Sequence, residues 1–350
     1  MLKIMPVFGT RPEAIKMAPL IKILAAQEDI ETITTVTAQH REMLDQVLKL
    51  FKIKPAYDLN IMKPEQSLTE ITVGVLSKIE KIISKEKPDL VLVHGDTSTT
   101  FASSLAAFYH KIPVGHVEAG LRTYNKFSPF PEEMNRKLTG CLAEMHFAPT
   151  PTAKEALLKE GVPAGQIFVT GNTVIDALLQ TVDKGYKFKD ATLKQLNFES
   201  KKIILLTAHR RENIGARMEQ IFQAVKAIVE QHHDTEVLVP VHLNPTVQEL
   251  AQRVFGGIER VRMVPPLAYE EFVNLMDRCY LVLTDSGGLQ EEAPALGKPV
   301  LLLRDTTERP EAITAGTVKL IGTEREKIIK ETSSLLTNSA AYRKMRSEER

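Results

Sequence analysis

The sequence predicts an α/β protein with two doubly wound domains, each a parallel sheet covered by helices on both faces. Three observations predict this class. Short apolar segments alternate along the chain with longer segments whose apolar residues recur every three or four positions. The short segments are almost uniformly apolar rather than half polar, which is typical of strands buried in a parallel sheet. The length of 350 residues also corresponds to two domains at roughly 150 residues each.

The first predicted domain covers residues 1–170. Its apolar, β-rich segments are Leu2–Phe8, Thr34–Thr37, Leu90–His94, Pro113–Val117, Met145–Ala148 and Ile167–Thr170. Helices with apolar positions at three- and four-residue spacing are predicted between these strands, for example Ala14–Ala26 and Thr97–Tyr109. Because parallel strands need a crossover helix between them, this order predicts a Rossmann-like arrangement.

The second predicted domain covers residues 171–350 and repeats the same alternation. Its strand segments are Ile203–Ala208, Glu236–Val241, Val261–Val264, Tyr280–Thr284, Val300–Leu303 and Val318–Ile321. Helices are predicted between them, as at Ala216–His232, Tyr269–Asp277 and Glu324–Leu336. The boundary between the domains is predicted near Gly171–Gly185. The polar, least periodic stretch Asp183–Ser200 is interpreted as a linker or a peripheral helix.

Composition excludes several classes of function. Lysine and arginine total 45 against 44 aspartates and glutamates, a net charge of +1, so the charge balance gives no reason to expect nucleic-acid binding. The two cysteines, Cys141 and Cys279, form no CxxC pair, which argues against a disulfide scaffold or a structural zinc site. The sequence contains no secretion signal and no run of 18 apolar residues, so we expect a soluble, cytoplasmic protein without a membrane partner.

Polar and glycine-containing segments follow the predicted strands at their carboxyl ends, where open parallel sheets bind ligands. These segments are 9–13, 94–96, 118–120, 208–212 and 284–288. We therefore expect the two domains to face a central cleft that binds the ligand.

Two histidines and two carboxylates stand at neighbouring strand ends. His94 and Asp96 are two residues apart, as are His116 and Glu118. If both pairs stay extended, all four side chains gather on one face of the sheet. Three interpretations follow: acid–base chemistry by the carboxylates, a zinc or manganese site, or polar strand ends with a purely structural role.

The segment from Asp285 to Glu292 predicts a helix start directly after a buried strand. Ser286, Gly287 and Gly288 suit phosphate binding, because glycines allow close approach to backbone N–H groups and serine adds a hydroxyl donor. Glu292, one turn into the helix, is placed to accept hydrogen bonds from ribose hydroxyls. The alternative is an ordinary helix cap formed by Ser286.

The segment Gly9–Glu13 closes the first strand. Pro12 suits the first helical position, which predicts that Arg11 lies outside the helix at the cleft. Arg11 and Lys16 then serve as diphosphate ligands or, alternatively, as solvated cations beside a capping turn. The sequence contains no GxxxxGK[ST] motif and no well-placed GxGxxG motif, which disfavours a P-loop kinase and a standard dehydrogenase.

Two further segments carry charged residues with two interpretations each. Glu132 and Arg136 stand at i and i+4, which on its own favours an ion pair on a helix surface over a carboxylate carried into the cleft. Arginine and histidine are dense at 209–212 and 304–311, which suits an anionic ligand or a structural salt-bridge network.

These segments together resemble one family, the non-hydrolysing bacterial UDP-N-acetylglucosamine 2-epimerases. The resemblance runs in order from about Leu2 to about Met345. It rests on the segments Phe8–Lys16, His94–Asp96, Gly115–Arg122, Pro131–Glu133, Thr207–Glu212, Pro240–Pro245, Asp285–Pro294 and Arg304–Pro310. It implies a glycosyltransferase-B-type fold, a homodimer, and reversible conversion of UDP-GlcNAc to UDP-ManNAc for cell-surface polysaccharide synthesis. The implied route eliminates UDP to give 2-acetamidoglucal and adds it back, with no metal and no nicotinamide cofactor.

The resemblance also implies roles for particular residues. The implied catalytic residues are Asp96, Glu118, Glu132 and His209. The implied substrate-binding residues are Arg11, Lys16, Ser286, Gly287, Gly288, Glu292 and Arg309. A second UDP-GlcNAc, acting as an activator, is implied to bind at Gln39, Gln46, Arg211 and His242.

Three other functions remain open from the sequence. A hydrolysing epimerase would release UDP and free ManNAc. A UDP-sugar glycosyltransferase would need an acceptor pocket. A nucleotide-sugar sensor would bind without turnover, although three carboxylates near an anionic ligand argue against it.

Overall fold

The computed structural model describes residues 1–38, 41–63, 65–307 and 309–346. The chain divides into two units, Met1–Ala177 and Leu178–Arg350. The division falls inside the helix Thr173–Thr181. Both units are α/β with parallel sheets, as the sequence predicts.

The sheet of the first unit contains eight strands, and every pairing in it is parallel. The strands are β1 (Leu2–Phe8), β2 (Ile30–Thr32), β3 (Thr35–Val36), β4 (Tyr57–Asp58), β5 (Leu90–His94), β6 (Val114–Val117), β7 (Met145–Ala148) and β8 (Ile167–Val169). Their order is β4-β3-β1-β5-β6-β7-β8, with β2 also paired to β1. The order therefore reverses between β1 and β5, the kind of position where such sheets bind ligands.

The helices of the first unit cover its sheet. They are α1 (Arg11–Ala25), α2 (Arg41–Phe51), α3 (Leu68–Glu86), α4 (Ser98–Tyr109), α5 (Glu132–Leu142) and α6 (Pro151–Lys159), with a 3₁₀ turn at Ala164–Gln166. The next helix, α7 (Thr173–Thr181), contains the division between the units. Several begin at threonine or serine caps: Ser67, Thr97 and Thr150 each accept a backbone N–H from the following turn. Apolar residues of β1, α3, β5 and α4 form one continuous core.

The second unit has a six-stranded parallel sheet of order β11-β10-β9-β12-β13-β14. The strands are β9 (Lys202–Thr207), β10 (Thr235–Pro240), β11 (Val261–Val264), β12 (Leu281–Thr284), β13 (Val300–Leu302) and β14 (Val318–Leu320). The helices are α8 (Ala191–Lys194), α9 (Ala216–Gln231), α10 (Pro245–Phe255), α11 (Tyr269–Arg278), α12 (Leu289–Ala295), α13 (Pro310–Thr314), α14 (Arg325–Thr337) and α15 (Ser339–Met345), with a 3₁₀ turn at Arg211–Asn213. Counted within the unit, this is the 3-2-1-4-5-6 order of Rossmann-type sheets, whose switch point lies between β9 and β12. Two apolar cores cover its two faces.

The structure departs from the sequence prediction at the shortest elements. The predicted strand Thr34–Thr37 is two residues, Thr35–Val36, and β2 and β4 were not predicted. β2 is only half-buried, and β4 is a two-residue strand at the sheet edge. Strands this short are too brief to show a hydrophobic period, so only their pairing defines them.

The stretch Asp183–Ser200 contains the short helix α8, capped by Asp190, whose carboxylate accepts from the backbone of Thr192 and Leu193. Phe188, Leu193 and Leu196 in this stretch are buried in a core of the second unit. It is therefore packed structure rather than a free linker. No helix in the described part of the chain is long and apolar enough to cross a membrane.

Candidate active site

Glu118 lies directly after β6 and is surrounded by donors and cations of the first unit. Its Oε2 pairs with Lys16 Nζ and accepts from Asn172 Nδ2 at 3.1 Å, and its Oε1 lies 3.7 Å from Arg136. Its backbone has φ +60°, a left-handed conformation that is strained for glutamate and that often occurs at functional sites. Burial alone would raise the pKa of Glu118, but Lys16 and Arg136 lower it well below its usual range. Glu118 is therefore a fixed negative charge.

Asp96 lies two residues after β5, and 26% of its side chain is exposed. Its Oδ2 lies 2.5 Å from Arg136, and its backbone carbonyl accepts from Asn135 Nδ2 at 3.0 Å. Burial raises the pKa of Asp96. The positive charge of Arg136 lowers this pKa, whereas the negative charges of Glu118 and Glu132 raise it further. Asp96 thus has the higher proton affinity of the two strand-end carboxylates.

The structure brings the three predicted carboxylates together. Glu132 is the first residue of α5 and is half-buried, and its charge acts on Asp96. Arg136, one turn later, is buried and pairs with Asp96 and Glu118 instead of lying on the helix surface. The surface ion pair favoured from the sequence was therefore wrong. The i,i+4 spacing in the sequence pointed to Arg136 as a residue of interest. Its partners, Asp96 and Glu118, became evident only from the position of α5 in the structure.

His94 and His116 are buried beside these carboxylates. His94 Nε2 lies 3.8 Å from Glu118 Oε2, whereas His116 Nε2 lies 2.7 Å from the carbonyl oxygen of Gly95. The strand ends are not extended as the sequence interpretation assumed, because Gly95 has φ +67° and Glu118 has φ +60°. Burial lowers the pKa of each histidine to about 3, so both are neutral near pH 7. Among the described residues, no three His, Cys, Asp or Glu side chains are arranged to hold a metal ion.

The two buried histidines predict acid sensitivity. Their pKa of about 3 lies below the ordinary value of 6.5, so the unfolded chain binds more protons as the pH falls below 6.5. The free energy of unfolding should therefore decrease from pH 7 to pH 4, by on the order of 2–3 kcal/mol per histidine. Urea titrations at several pH values should show that the free energy of unfolding depends less on pH in His116→Gln than in the wild type. The exposed control His233→Gln should keep the wild-type dependence, and equal slopes for both variants would contradict the prediction.

The loop after β1 is held by the side chain of Glu13. Glu13 is buried, and its carboxylate accepts the backbone N–H groups of Gly9 and Thr10 and the hydroxyl of Thr97. Thr10 is consequently the cap and α1 begins at Arg11, so the prediction that Arg11 lies outside the helix was wrong. Arg11 is half-buried in the first turn of α1, and Lys16 lies one turn further on, against Glu118.

Gly9 has a steric role in the same loop. A Cβ at Gly9 would lie 2.0 Å from Thr37 Oγ1, which is itself 3.0 Å from Thr99 Oγ1. A side chain at position 9 would therefore push the end of β1 away from its neighbours. The close approach of Gly9 to Thr37 and Thr99 therefore holds the start of α1 near the ends of the neighbouring strands.

In the second unit, His209 lies in the loop after β9, with 46% of its side chain exposed. Its ring stacks on that of His242, with centroids 5.8 Å apart and planes 11° apart. Burial lowers the pKa of His209, while the nearby carboxylate of Asp285 opposes this shift. His209 Nδ1 lies 3.7 Å from Asp285 Oδ1. In the sequence, Asp285 is only the first residue of a glycine-containing segment, so its contact with His209 was not predicted.

The segment after β12 differs from its prediction in where the helix begins. α12 starts at Leu289, with Gly288 as its cap, instead of at Asp285, and Ser286 does not cap it. The backbone N–H of Ser286 donates to Thr284 Oγ1 at 2.9 Å, and Gly287 is buried. Glu292 is the fourth residue of the helix, so its predicted position one turn into a helix is correct.

The remaining predicted binding residues lie in separate places. Arg309 is half-buried and pairs with Glu291, a neighbour of Glu292 in α12. Gln39 lies outside the described residues. Gln46 is exposed on α2. Arg211 and His242 are exposed in the loops after β9 and β10, whose strands are adjacent.

Residues of the charged segments 209–212 and 304–311 also form ion pairs. Arg304 lies 3.7 Å from Glu212, and Arg217 lies 2.8 Å from Asp305. The structural salt-bridge interpretation therefore accounts for part of these segments.

The comparisons with known proteins agree with this architecture. The sequence profile of the family described as UDP-N-acetylglucosamine 2-epimerase matches residues 22–350. The UDP-N-acetylglucosamine 2-epimerase of Bacillus subtilis (strain 168) is 58% identical over 344 residues, which cover 98% of this chain and 90% of that protein.

Two solved structures are also similar to this chain. The crystal structure of UDP-GlcNAc 2-epimerase from Neisseria meningitidis bound to UDP-GlcNAc has a TM-score of 0.88 and 51% identity, covering 99% of this chain and 95% of that one. An S. aureus protein in complex with UDP has a TM-score of 0.87 and 52% identity, covering 99% and 91%. These matches confirm the resemblance to bacterial UDP-N-acetylglucosamine 2-epimerases and the glycosyltransferase-B-like fold class. With a family profile matching nearly the whole sequence and a relative 58% identical over 98% of it, the chain belongs to the UDP-N-acetylglucosamine 2-epimerase family.

Proposed function

We propose that this chain interconverts UDP-GlcNAc and UDP-ManNAc by eliminating UDP and adding it back through 2-acetamidoglucal, without net hydrolysis. The observation that carries the proposal is the cluster of Asp96 and Glu118 around the cations Lys16 and Arg136, with Glu132 near enough for its charge to act on Asp96. The N. meningitidis relative, whose structure holds UDP-GlcNAc, supports the choice of substrate.

The chemistry of the substrate explains why such a cluster is needed. The proton on carbon 2 of the sugar is weakly acidic, because no keto group lies next to it. Its removal by a base must therefore accompany the departure of UDP from carbon 1, which forms the carbon 1–carbon 2 double bond. In the return step, UDP bonds again to carbon 1 and an acid delivers a proton to the opposite face of carbon 2. This cycle needs carboxylates near both faces of the sugar and cations that stabilise the leaving diphosphate.

The contacts in the first unit support a division of labour among the carboxylates. Glu118 is held ionised by Lys16 and Arg136, which makes it a poor proton acceptor. Asp96 has a raised pKa and a partly exposed side chain, so it is suited to take and return a proton. We assign proton transfer to Asp96 and Glu132. Glu118 acts as the fixed charge that raises the proton affinity of Asp96.

Residues of the second unit suit the nucleotide. His209 and the loop Ser286–Gly288 lie at the switch point between β9 and β12, where Rossmann-type sheets bind phosphates. We propose that they contact the diphosphate and that Glu292 accepts hydrogen bonds from the ribose. Arg309 holds Glu291 in the same helix. Arg11 and Lys16 in the first unit are proposed as further cations for the diphosphate.

Further properties are proposed from the family resemblance. A second UDP-GlcNAc is proposed to act as an activator through Gln39, Gln46, Arg211 and His242. The adjacent positions of Arg211 and His242 in the second unit support their belonging to one site. We also propose that the protein is a cytoplasmic homodimer that supplies a precursor of cell-surface polysaccharide. The proposed cycle requires neither a metal nor a nicotinamide.

The proposed route predicts exchange at carbon 2. When the protein is incubated with UDP-GlcNAc alone in heavy water, deuterium should appear at carbon 2 of both UDP-GlcNAc and UDP-ManNAc. Proton NMR of the sugar measures this directly. Epimerisation without deuterium at carbon 2 would contradict the proposed route.

The same incubation separates the alternative functions. A hydrolysing epimerase would accumulate UDP and free ManNAc in equal amounts. A glycosyltransferase would give no epimer without an acceptor, and a sensor would leave the substrate unchanged. Denatured protein provides the baseline for spontaneous breakdown.

A further inference from the structure

Asp285 has a fully buried carboxylate, and among the described residues its hydrogen-bond donors lie in the loop that carries His209. Its Oδ2 accepts the backbone N–H groups of His209 at 3.0 Å and Arg210 at 2.9 Å, and Nδ2 of Asn213 at 3.0 Å. Its Oδ1 accepts the His209 N–H at 3.2 Å. Three separate N–H donors therefore compensate this buried carboxylate.

These bonds connect the ends of neighbouring strands at the switch point of the second sheet. The backbone N–H of Asp285 donates to Thr207 O at 3.1 Å, and the hydroxyls of Thr207 and Thr284 lie 2.6 Å apart. Asn213 also donates to Leu303 O at 3.2 Å, so the network reaches the end of β13. The loop of His209 and the loop of Ser286 are thus parts of one hydrogen-bonded unit.

The electrostatic surroundings of His209 are also defined by this network. The groups whose charge acts on the His209 ring are Asp285, His242 stacked on its face, and Arg210 beside it in the chain. Asp285 is the negative charge among them. It therefore opposes the loss of the imidazole proton that burial and the two neighbours promote.

We propose that Asp285 is a positioning residue that fixes the His209 loop beside the Ser286 loop and places a carboxylate next to the His209 ring. The inference rests on the proposed function, in which His209 contacts the diphosphate. It goes further by assigning to Asp285 a role exerted through His209 instead of through the ligand. A carboxylate with backbone donors on one side and an imidazole on the other can set both the orientation and the charge of the ring.

The first test measures the proton affinity of His209 by NMR of histidine-labelled protein, with the signal assigned by its absence in His209→Asn. In Asp285→Asn the pKa of His209 should fall by about 1, because a nearby negative charge is removed. In Asn213→Ala it should instead rise, because Asp285 keeps its charge and loses a compensating donor. Asp234→Asn is the matched control, since Asp234 is exposed at the opposite ends of the strands, where it pairs with Lys202.

Opposite shifts in Asp285→Asn and Asn213→Ala, with none in Asp234→Asn, support the proposal. An unchanged His209 pKa in Asp285→Asn, or a fall in Asn213→Ala, would overturn it. If Asp285→Asn does not fold, the direction of the shift in Asn213→Ala decides by itself.

The second test is a double-mutant cycle on turnover of UDP-GlcNAc. Asp285→Asn should lower kcat/KM by about a hundredfold through misplacement of His209. In the His209→Asn background, the same change should lower it less than about threefold, because its effect is already lost. Additive effects would show that Asp285 does not act through His209. If His209→Asn alone leaves kcat/KM near the wild-type value, the proposed function of His209 fails, and the NMR result still decides the role of Asp285.

Discussion

Asp96→Asn is expected to reduce turnover of UDP-GlcNAc by about 10²–10⁴-fold, the usual contribution of a general acid–base group. Asparagine keeps the size of the side chain but carries no exchangeable proton of suitable affinity. The dissociation constant for UDP, measured by calorimetry, should stay within about threefold of the wild type, because the proposed nucleotide ligands lie mostly in the second unit. Near-normal turnover in Asp96→Asn would show that this carboxylate has only a structural role.

Glu118→Gln distinguishes the two proposed roles through the pH profile. Asp96 must be deprotonated to act as a base, so kcat/KM should rise with pH through its raised pKa. Removing the charge of Glu118 lowers that pKa, and the acidic limb of the profile should move to lower pH. A limb that stays in place in Glu118→Gln would show that Glu118 does not influence Asp96.

Arg136→Met is expected to reduce the free energy of unfolding by about 3–5 kcal/mol, the usual cost of removing one partner from a buried ion pair. Arg136 is buried between Asp96 and Glu118, so its loss leaves two negative charges near one another with less compensation. Urea unfolding at pH 7 measures the change. The matched control is Arg41→Met, which removes a more exposed arginine paired with Asp45 and Asp58 and should cost less than about 1 kcal/mol.

A second variant tests the electrostatic reason for this loss. Adding Asp96→Asn to Arg136→Met removes one of the uncompensated charges, so part of the lost free energy should return. If the double variant is as unstable as the sum of the single variants, the loss reflects packing of the arginine stem rather than charge.

Much of the fold was predictable because its strands are long enough to show their pattern. β1, β5 and β9 are continuous apolar segments followed by polar turns, and their bounds agree with the prediction within one residue. β2 and β4 were not predictable, since three half-buried residues or a two-residue edge strand carry no hydrophobic period. Their existence depends on the backbone of β1 and β3 being available for pairing.

The residues that hold the site in place were harder to predict than those proposed to act in it. Glu13, Arg136 and Asp285 each have ordinary local explanations as a first-turn acid, a helix-surface cation and a strand-end polar group. In the structure, Glu13 bonds to Thr97, 84 positions away, and Arg136 pairs with Asp96, 40 positions away. Their partners are brought close only by the order of strands in the sheet.

By itself, the sequence determined the class of fold, the family and the identity of the candidate residues, because these depend on local hydrophobic period and on motifs read in order. Only the tertiary structure decided the protonation of those residues and the position of Arg11 in α1. A pKa depends on burial and on charges within a few ångströms, and those neighbours come from distant parts of the chain. In the sequence, Glu118 and Asp96 are therefore both simply carboxylates at strand ends. In the structure, Lys16 and Arg136 keep Glu118 ionised, whereas burial raises the proton affinity of Asp96.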